Sequence, residues 1–233
     1  MRAAFLGETP ADAGVAAFIA DAWGHMFPLD DPPDYEPPPD RSVAALAERQ
    51  GRAPAEVGYD LLLEREGRAL LYMPLEGYAD GDFRALAELL TQPDVVLGLG
   101  DGGAHCGLLC DASVPTYMLS HWVRERSRGE RLPLELAVNL QTRRTASLFG
   151  FDDRGLVAPG QLADLNVIDA DNVASEAPEM LYDLPAGGRR LVQRARGYVA
   201  TIKRGVVVRD HDAATGERPG RLVRGPQPAP PAG

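Results

Sequence analysis

The eleven residues from Val95 to His105, VVLGLGDGGAH, bring four glycines, a carboxylate and an imidazole into one short stretch. Gly98, Gly100 and Gly103 satisfy G-x-G-x-x-G, the spacing of a loop that cradles a pyrophosphate, yet Asp101 stands in the middle of it. Two unrelated chemistries are therefore on offer. One is a phosphate cradle. The other is a strand that delivers a carboxylate for proton transfer.

A dinucleotide fold requires the third glycine to open a helix at once, and an acidic residue about 20 positions later to bind the ribose. The sequence meets neither requirement: about 20 residues on lies HWVRERSRG, which reads as helix. Asp101 would also place a negative charge against the phosphates that such a loop attracts. The stretch reads better as a β/α-barrel strand whose carboxyl end presents Asp101, because catalytic residues in these barrels come from strand ends. Gly102 and Gly103 would then let a substrate approach the backbone. From Asp101, Gly102 and Gly103 alone, a plain turn is an equal reading.

Several elements must position this stretch. ADAGVAAFIADAW reads as a helix, and PLDDPPDYEPPPD as a connector, since its prolines remove donors and fix extended backbone. Ser42 caps a helix running through Gln50 and ended by Gly51, and Pro54 starts a second helix through YDLLLERE. ALLYMPL and VVLGLG read as buried strands on either side of the helix FRALAELL, which Asp80 or Asp82 can cap. Such a strand, helix, strand unit argues for a parallel sheet. Helices return near 115–126 and 133–149. After Gly150, short strands and glycine turns follow, with a hairpin turn at Lys203, Arg204 and Gly205.

The bulk numbers narrow the partners. Lys and Arg number 24 against 34 Asp and Glu, and the net charge of −10 argues against nucleic acid and anionic lipid. Cys106 and Cys110 are too few for a disulfide framework and fit a reducing, cytoplasmic setting. No apolar run approaches the roughly 18 residues of a membrane span, and the opening residues do not read as a signal peptide.

GLGDGGAHCGLLCDASVPTYMLSHWVRER, then RTASLFGF, then DRGLVAPGQLADLNVIDAD, then YDLPAGGRRLVQRARGYVATIKRGVVV stand in that order. Together with the upstream DYEPPPDRSVAALAERQGRAPAEVGYDLLLE, they resemble the C-terminal part of the N-acyl-D-amino-acid deacylase (D-aminoacylase) group of the amidohydrolase superfamily. The resemblance implies an α/β fold: the last strands of a metal-dependent-hydrolase TIM-type β/α barrel over 1–150, part of a small β-sandwich over 151–225, and a disordered tail over 226–233. It implies hydrolysis of a carbon–nitrogen bond other than a peptide bond in an N-acyl-D-amino acid. In that family the aspartate ending the last barrel strand moves a proton from metal-bound water to the leaving nitrogen, and Asp101 matches it. Gly102, Gly103 and His105 fall where substrate would bind. Gly100 departs from the serine common before that aspartate.

The resemblance also implies zinc (Zn2+), held in relatives by a His-x-His on the first barrel strand and by further His or Cys ligands. This chain has no His-x-His, and His25, His105, His121 and His211 are scattered. A complete barrel takes about 250 residues, so 1–150 holds only its last strands. The expectation is a chain that starts partway through the barrel, as from a truncated or split reading frame, inactive alone unless the missing N-terminal half is supplied. The alternative is a non-catalytic partner that completes a barrel or complex.

Other residues admit a chemical and a structural reading. Cys106 and Cys110, spaced C-x3-C, are either metal or redox ligands or small buried hydrophobes. His105 either hydrogen-bonds substrate or packs the loop, and His121, between Tyr117 and Trp122, reads as packing. Arg189, Arg190, Arg194 and Arg196 form a basic cluster that either binds a carboxylate or is solvated and ion-paired. Tyr72 and Tyr78 either face substrate or pack.

Overall fold

The computed structural model describes residues 22–98, 100, 102–103 and 106–231, with backbone alone at 111. The expected helix ADAGVAAFIADAW lies outside the described residues except for its end, where Trp23–His25 forms a 3-10 turn. Two compact units divide the chain, Met1–Leu86 and Ala87–Gly233.

In the first unit, local chemistry produces the helices that the sequence calls for. Helix α1, Val43–Gln50, starts where the Ser42 hydroxyl accepts from the Ala45 amide at 3.2 Å, and it ends at Gly51 in the left-handed region. Helix α2, Pro54–Gly67, opens on the proline that needs no amide partner there. Met26, Val43, Ala47 and Val57 form the core between them, with Leu61, Leu71 and Met73 packed on it.

The proline-rich connector does more than connect. Its Glu36 is 2% exposed and accepts from the Phe83 amide at 2.8 Å, and the Tyr78 hydroxyl donates to the Pro37 carbonyl. Tyr78 meets Phe27 and Phe83 edge to face, with centroids 5.9 and 5.4 Å apart. A carboxylate buried in this way needs donors, and the Phe83 amide supplies one.

The expected parallel pair of barrel strands is not what the described residues form. Only Leu71–Tyr72 of ALLYMPL is a strand (β2), and it pairs antiparallel with β1, Phe27–Pro28. Residues 95–98 and 100 lie in no ladder and are half-buried or exposed. The carbonyls of Gln92 and Val95 accept instead from the Arg144 guanidinium, each at 3.1 Å. With no strand beside it, this apolar run meets part of its backbone requirement through a side chain. Helix α3, Arg84–Thr91, precedes it, with Asp82 accepting from the Arg84 amide at 3.0 Å.

In the second unit, helix α4, Val114–Tyr117, continues as a π-helix, Met118–Glu125. Helices α5, Leu134–Gln141, and α6, Arg143–Leu148, follow and are separated at Thr142. Met118, Trp122, Leu132, Ala137 and Leu140 are buried among them. Arg126, 2% exposed, lies 4.7 Å from the Trp122 ring centroid and donates to the Glu130 carbonyl at 2.8 Å.

The β part of this unit contains β3 (Leu165–Ile168), β4 (Ala174–Ser175), β5 (Glu179–Leu184), β6 (Gly188–Val192), β7 (Ala195–Arg196), β8 (Tyr198–Lys203), β9 (Val206–Asp210) and β10 (Ala213–Ala214). They form a sheet of order β10-β9-β8-β3 and the pairs β4-β7 and β5-β6, all antiparallel. The β8-β9 hairpin turns at Arg204 and Gly205, both with positive φ, as a two-residue hairpin loop of the primed type requires. The tail begins in an ordered contact: Gln227 bridges Phe151 and donates to the Gly150 carbonyl at 2.7 Å.

Ser42→Ala is expected to lower stability by about 1 kcal/mol, the usual loss for an N-cap hydroxyl. Urea unfolding followed by helical circular dichroism reads this; an unchanged midpoint would show that the Ser42 cap contributes nothing.

Candidate functional site

The glycine loop is the candidate with chemical content, and the structure describes its two ends. Asp101 and His105 lie outside the described residues. Gly102 and Gly103 are described and exposed. A Cβ on Gly102 would sit 3.1 Å from Cα and Cβ of Ala112, so the loop folds back on its own chain at this point. Gly103 has φ +92° and open space where a Cβ would be. Of the two, Gly103 is the one with room beside its backbone.

The far end of the loop docks on the β part. The Leu191 amide of β6 donates to the Cys106 carbonyl at 2.6 Å. The Arg189 Nε is 3.8 Å from where a Cβ would sit on Gly107. Cys106 and Cys110 are free thiols, both half-buried.

The basic cluster is sorted by its partners. Arg190 makes a two-pronged contact with Asp183 at 2.8 and 2.6 Å, and the Arg190 hydrogen bond holds the Asp183 carboxyl below its usual range. Arg194 pairs with Glu179 at 3.3 Å. Arg189 and Arg196 are exposed and make no side-chain hydrogen bond or ion pair among the described residues.

Tyr72 donates to the Tyr35 carbonyl at 3.3 Å and packs against the Tyr35 ring, while Tyr78 is buried. His121 stacks on Tyr117 with centroids 4.5 Å apart and 8° between planes. His25 and His211 are brought to neither the loop nor each other in any described contact.

No local sequence pattern marks the contacts that tie helix to β part within the second unit, because their partners are far apart along the chain. Arg124 donates to the carbonyls of Ala170 and Val173, both at 2.6 Å. Thr116 and Tyr198 join hydroxyls at 2.9 Å. A third contact set lies within the β part and was equally silent. Asp164 accepts from Lys203 Nζ at 2.5 Å and the Arg204 amide at 2.9 Å, with Arg154 at 3.6 Å. Burial pushes the Asp164 carboxyl up, but the Lys203 and Arg204 hydrogen bonds and the Lys203 and Arg154 charges outweigh it, so it stays ionised below its usual range.

Neither of two cavities in the β part is lined by the loop. One, of about 390 Å³, is bordered by Arg194, Tyr198, Arg209 and Asp212; the other, of about 560 Å³, lies by Asp164, Lys203 and Glu217. Among the described residues, no three His, Cys, Asp or Glu side chains group so as to hold a metal ion. The zinc expected from the resemblance therefore does not fit them. Among the same residues, no helix is long and apolar enough to cross a membrane.

Residues 9–209 match the Amidohydrolase family. Over 109 residues the chain is 36% identical to an N-acyl-D-glutamate deacylase of Alcaligenes xylosoxydans xylosoxydans, a match covering 47% of this chain and 20% of that protein. A D-aminoacylase, whose crystal structure defines a novel subset of amidohydrolases, aligns at 24% identity with a TM-score of 0.42, over 83% of this chain and 36% of that one. The chain thus spans well under half the length of either protein.

The low Asp164 value has a signed consequence for stability. A carboxylate whose folded-state pKa lies below its unfolded one contributes stability above the unfolded value of about 3.9, and loses it as pH falls through the folded value. The stability gap between wild type and Asp164→Asn should hold constant above about pH 5 and shrink on acidification below about pH 4. Urea unfolding across pH 3–7 measures the gap, and one that is flat to the acid end would refute the role given to Asp164.

Proposed function

Because the chain belongs to the Amidohydrolase family, we propose that it is part of a hydrolase acting on the amide bond of N-acyl-D-amino acids. The observation that carries this reading is the family match over 9–209, and the 36% identity to an N-acyl-D-glutamate deacylase points it to this substrate class. The order of motifs from GLGDGGAH to RGYVATIKRGVVV supports it further. In the same proposal, 1–150 contributes the last part of a β/α barrel and 151–225 part of a small β-sandwich. The antiparallel strands after Leu165 support the second assignment.

Asp101 is assigned proton transfer. Water adds to the amide carbonyl, and the Asp101 carboxylate accepts a proton from that water. The carbon–nitrogen bond then breaks as the same proton passes to the departing nitrogen, releasing a carboxylic acid and a free amino acid. Gly103, with open space beside its backbone, is assigned to the substrate side of the loop, together with Gly102 and His105. Since the described residues offer no ligand set for zinc, no step is assigned to a metal held by them. Turnover is assigned to a complete enzyme of which this chain forms the Asp101-bearing part.

A chimera tests the reading: this chain would replace the matching region of the N-acyl-D-glutamate deacylase. It should release free amino acid from N-acyl-D-amino acids. Asp101→Asn in the chimera should cut turnover by roughly a hundredfold or more with metal content unchanged, the loss expected when a positioned base is removed. A folded chimera without turnover would refute the function, and near-normal turnover in the variant would remove Asp101 from it.

A further inference from the structure

We propose that Arg189 binds the carboxylate of a small-molecule ligand at the turn that begins with Cys106 and Gly107. Four arginines crowd 189–196, and Arg190 and Arg194 are neutralised by Asp183 and Glu179. Arg189 is exposed and makes no ion pair or side-chain hydrogen bond among the described residues, so its guanidinium is available to an anion.

Its place on the strand is specific. The β5-β6 ladder pairs Leu181 with Arg190 and then Leu184 with Gly188, so Tyr182 and Asp183 together oppose Arg189. The extra residue lies on β5, which bulges opposite Arg189, and bulges recur beside functional sites. Here the Arg189 guanidinium is directed to the turn, its Nε 3.8 Å from the position a Cβ would take on Gly107. Leu191, two residues on, fixes the spacing through its 2.6 Å bond to the Cys106 carbonyl. The same turn carries Leu108, 68% exposed, which offers apolar surface to the rest of a ligand.

Arg190, the next residue along β6, is already engaged by the Asp183 carboxylate, so the uncommitted positive charge at the turn is that of Arg189. A planar guanidinium takes a carboxylate through two parallel hydrogen bonds, which an ammonium reproduces only in part.

The choice of an N-acyl amino acid as ligand rests on the function proposed above; carboxylate binding by Arg189 does not. Calorimetric titration of the chain with N-acetyl-D-leucine and with its C-terminal carboxamide separates the two. Wild type should bind the acid more tightly than the amide. Arg189→Gln should weaken acid binding roughly ten- to a hundredfold and leave amide binding unchanged, as expected for the loss of a hydrogen-bonded charge pair. Arg189→Lys should recover part of the loss, and Arg196→Gln should match wild type.

Equal affinity for acid and amide in wild type, binding of neither, or undiminished acid binding in Arg189→Gln would each overturn the proposal. An unchanged urea midpoint in Arg189→Gln excludes misfolding as the cause of any loss. Hydrolysis measured in parallel in the chimera keeps the two readings apart. Arg189-dependent binding without hydrolysis upholds this inference and sinks the deacylase. Hydrolysis that keeps its preference for the acid in Arg189→Gln does the opposite.

Discussion

The Val95 carbonyl takes its hydrogen bond from the Arg144 guanidinium and not from a neighbouring strand. A buried backbone acceptor must find a donor, and the described residues place no strand beside 95–98 to supply one. The described residues of the glycine loop are likewise held by contacts other than strand pairing. The loop begins where helix α6 holds Gln92 and Val95, folds back where Gly102 meets Ala112, and ends where the β6 amide of Leu191 takes the Cys106 carbonyl. Three separate elements therefore contact the described residues on either side of Asp101.

The parts legible in the sequence are those whose causes are contiguous. Ser42, Gly51 and Pro54 fix two helices through bonds made within a few residues, and the structure has both at the expected places. Arg204 and Gly205 specify the β8-β9 turn by backbone conformation alone. ALLYMPL does contain a strand, but apolar composition says that a segment is covered, not what covers it. Leu71–Tyr72 satisfies itself against Phe27–Pro28, more than forty residues earlier, in the opposite direction to the one expected. Nothing in the local pattern distinguishes these outcomes.

The same distinction governs the site. Asp101 and His105 rest on the motif alone, since both lie outside the described residues. The basic cluster was visible as four arginines, but its chemistry depends on partners seven and fifteen residues away. Asp183 and Glu179 decide which charges are spent. The bulge opposite Arg189 is likewise a property of strand pairing, which no single strand encodes. Buried Glu36 and Arg126 carry no local signal for the same reason: Glu36 accepts from a backbone amide remote in sequence, and Arg126 donates to a carbonyl brought round by a turn.

Family membership and local geometry constrain different parts of the chemistry. The match over 9–209 assigns the chain to the Amidohydrolase family, while the described side chains offer no set of three metal ligands. These agree if the chain contributes proton transfer and ligand recognition, and the metal ligands lie elsewhere in the enzyme. Its acidic balance sharpens the point. With a net charge of −10, an anionic ligand is repelled at long range, so a carboxylate can be held only where positive charge is concentrated and uncommitted. The pairing of Arg190 and Arg194 with their own carboxylates removes much of that charge from the 189–196 cluster. What is left beside the turn that follows the glycine loop is Arg189, its Nε 3.8 Å from the Cβ position of Gly107, so strand register as much as residue type decides which charge stands there.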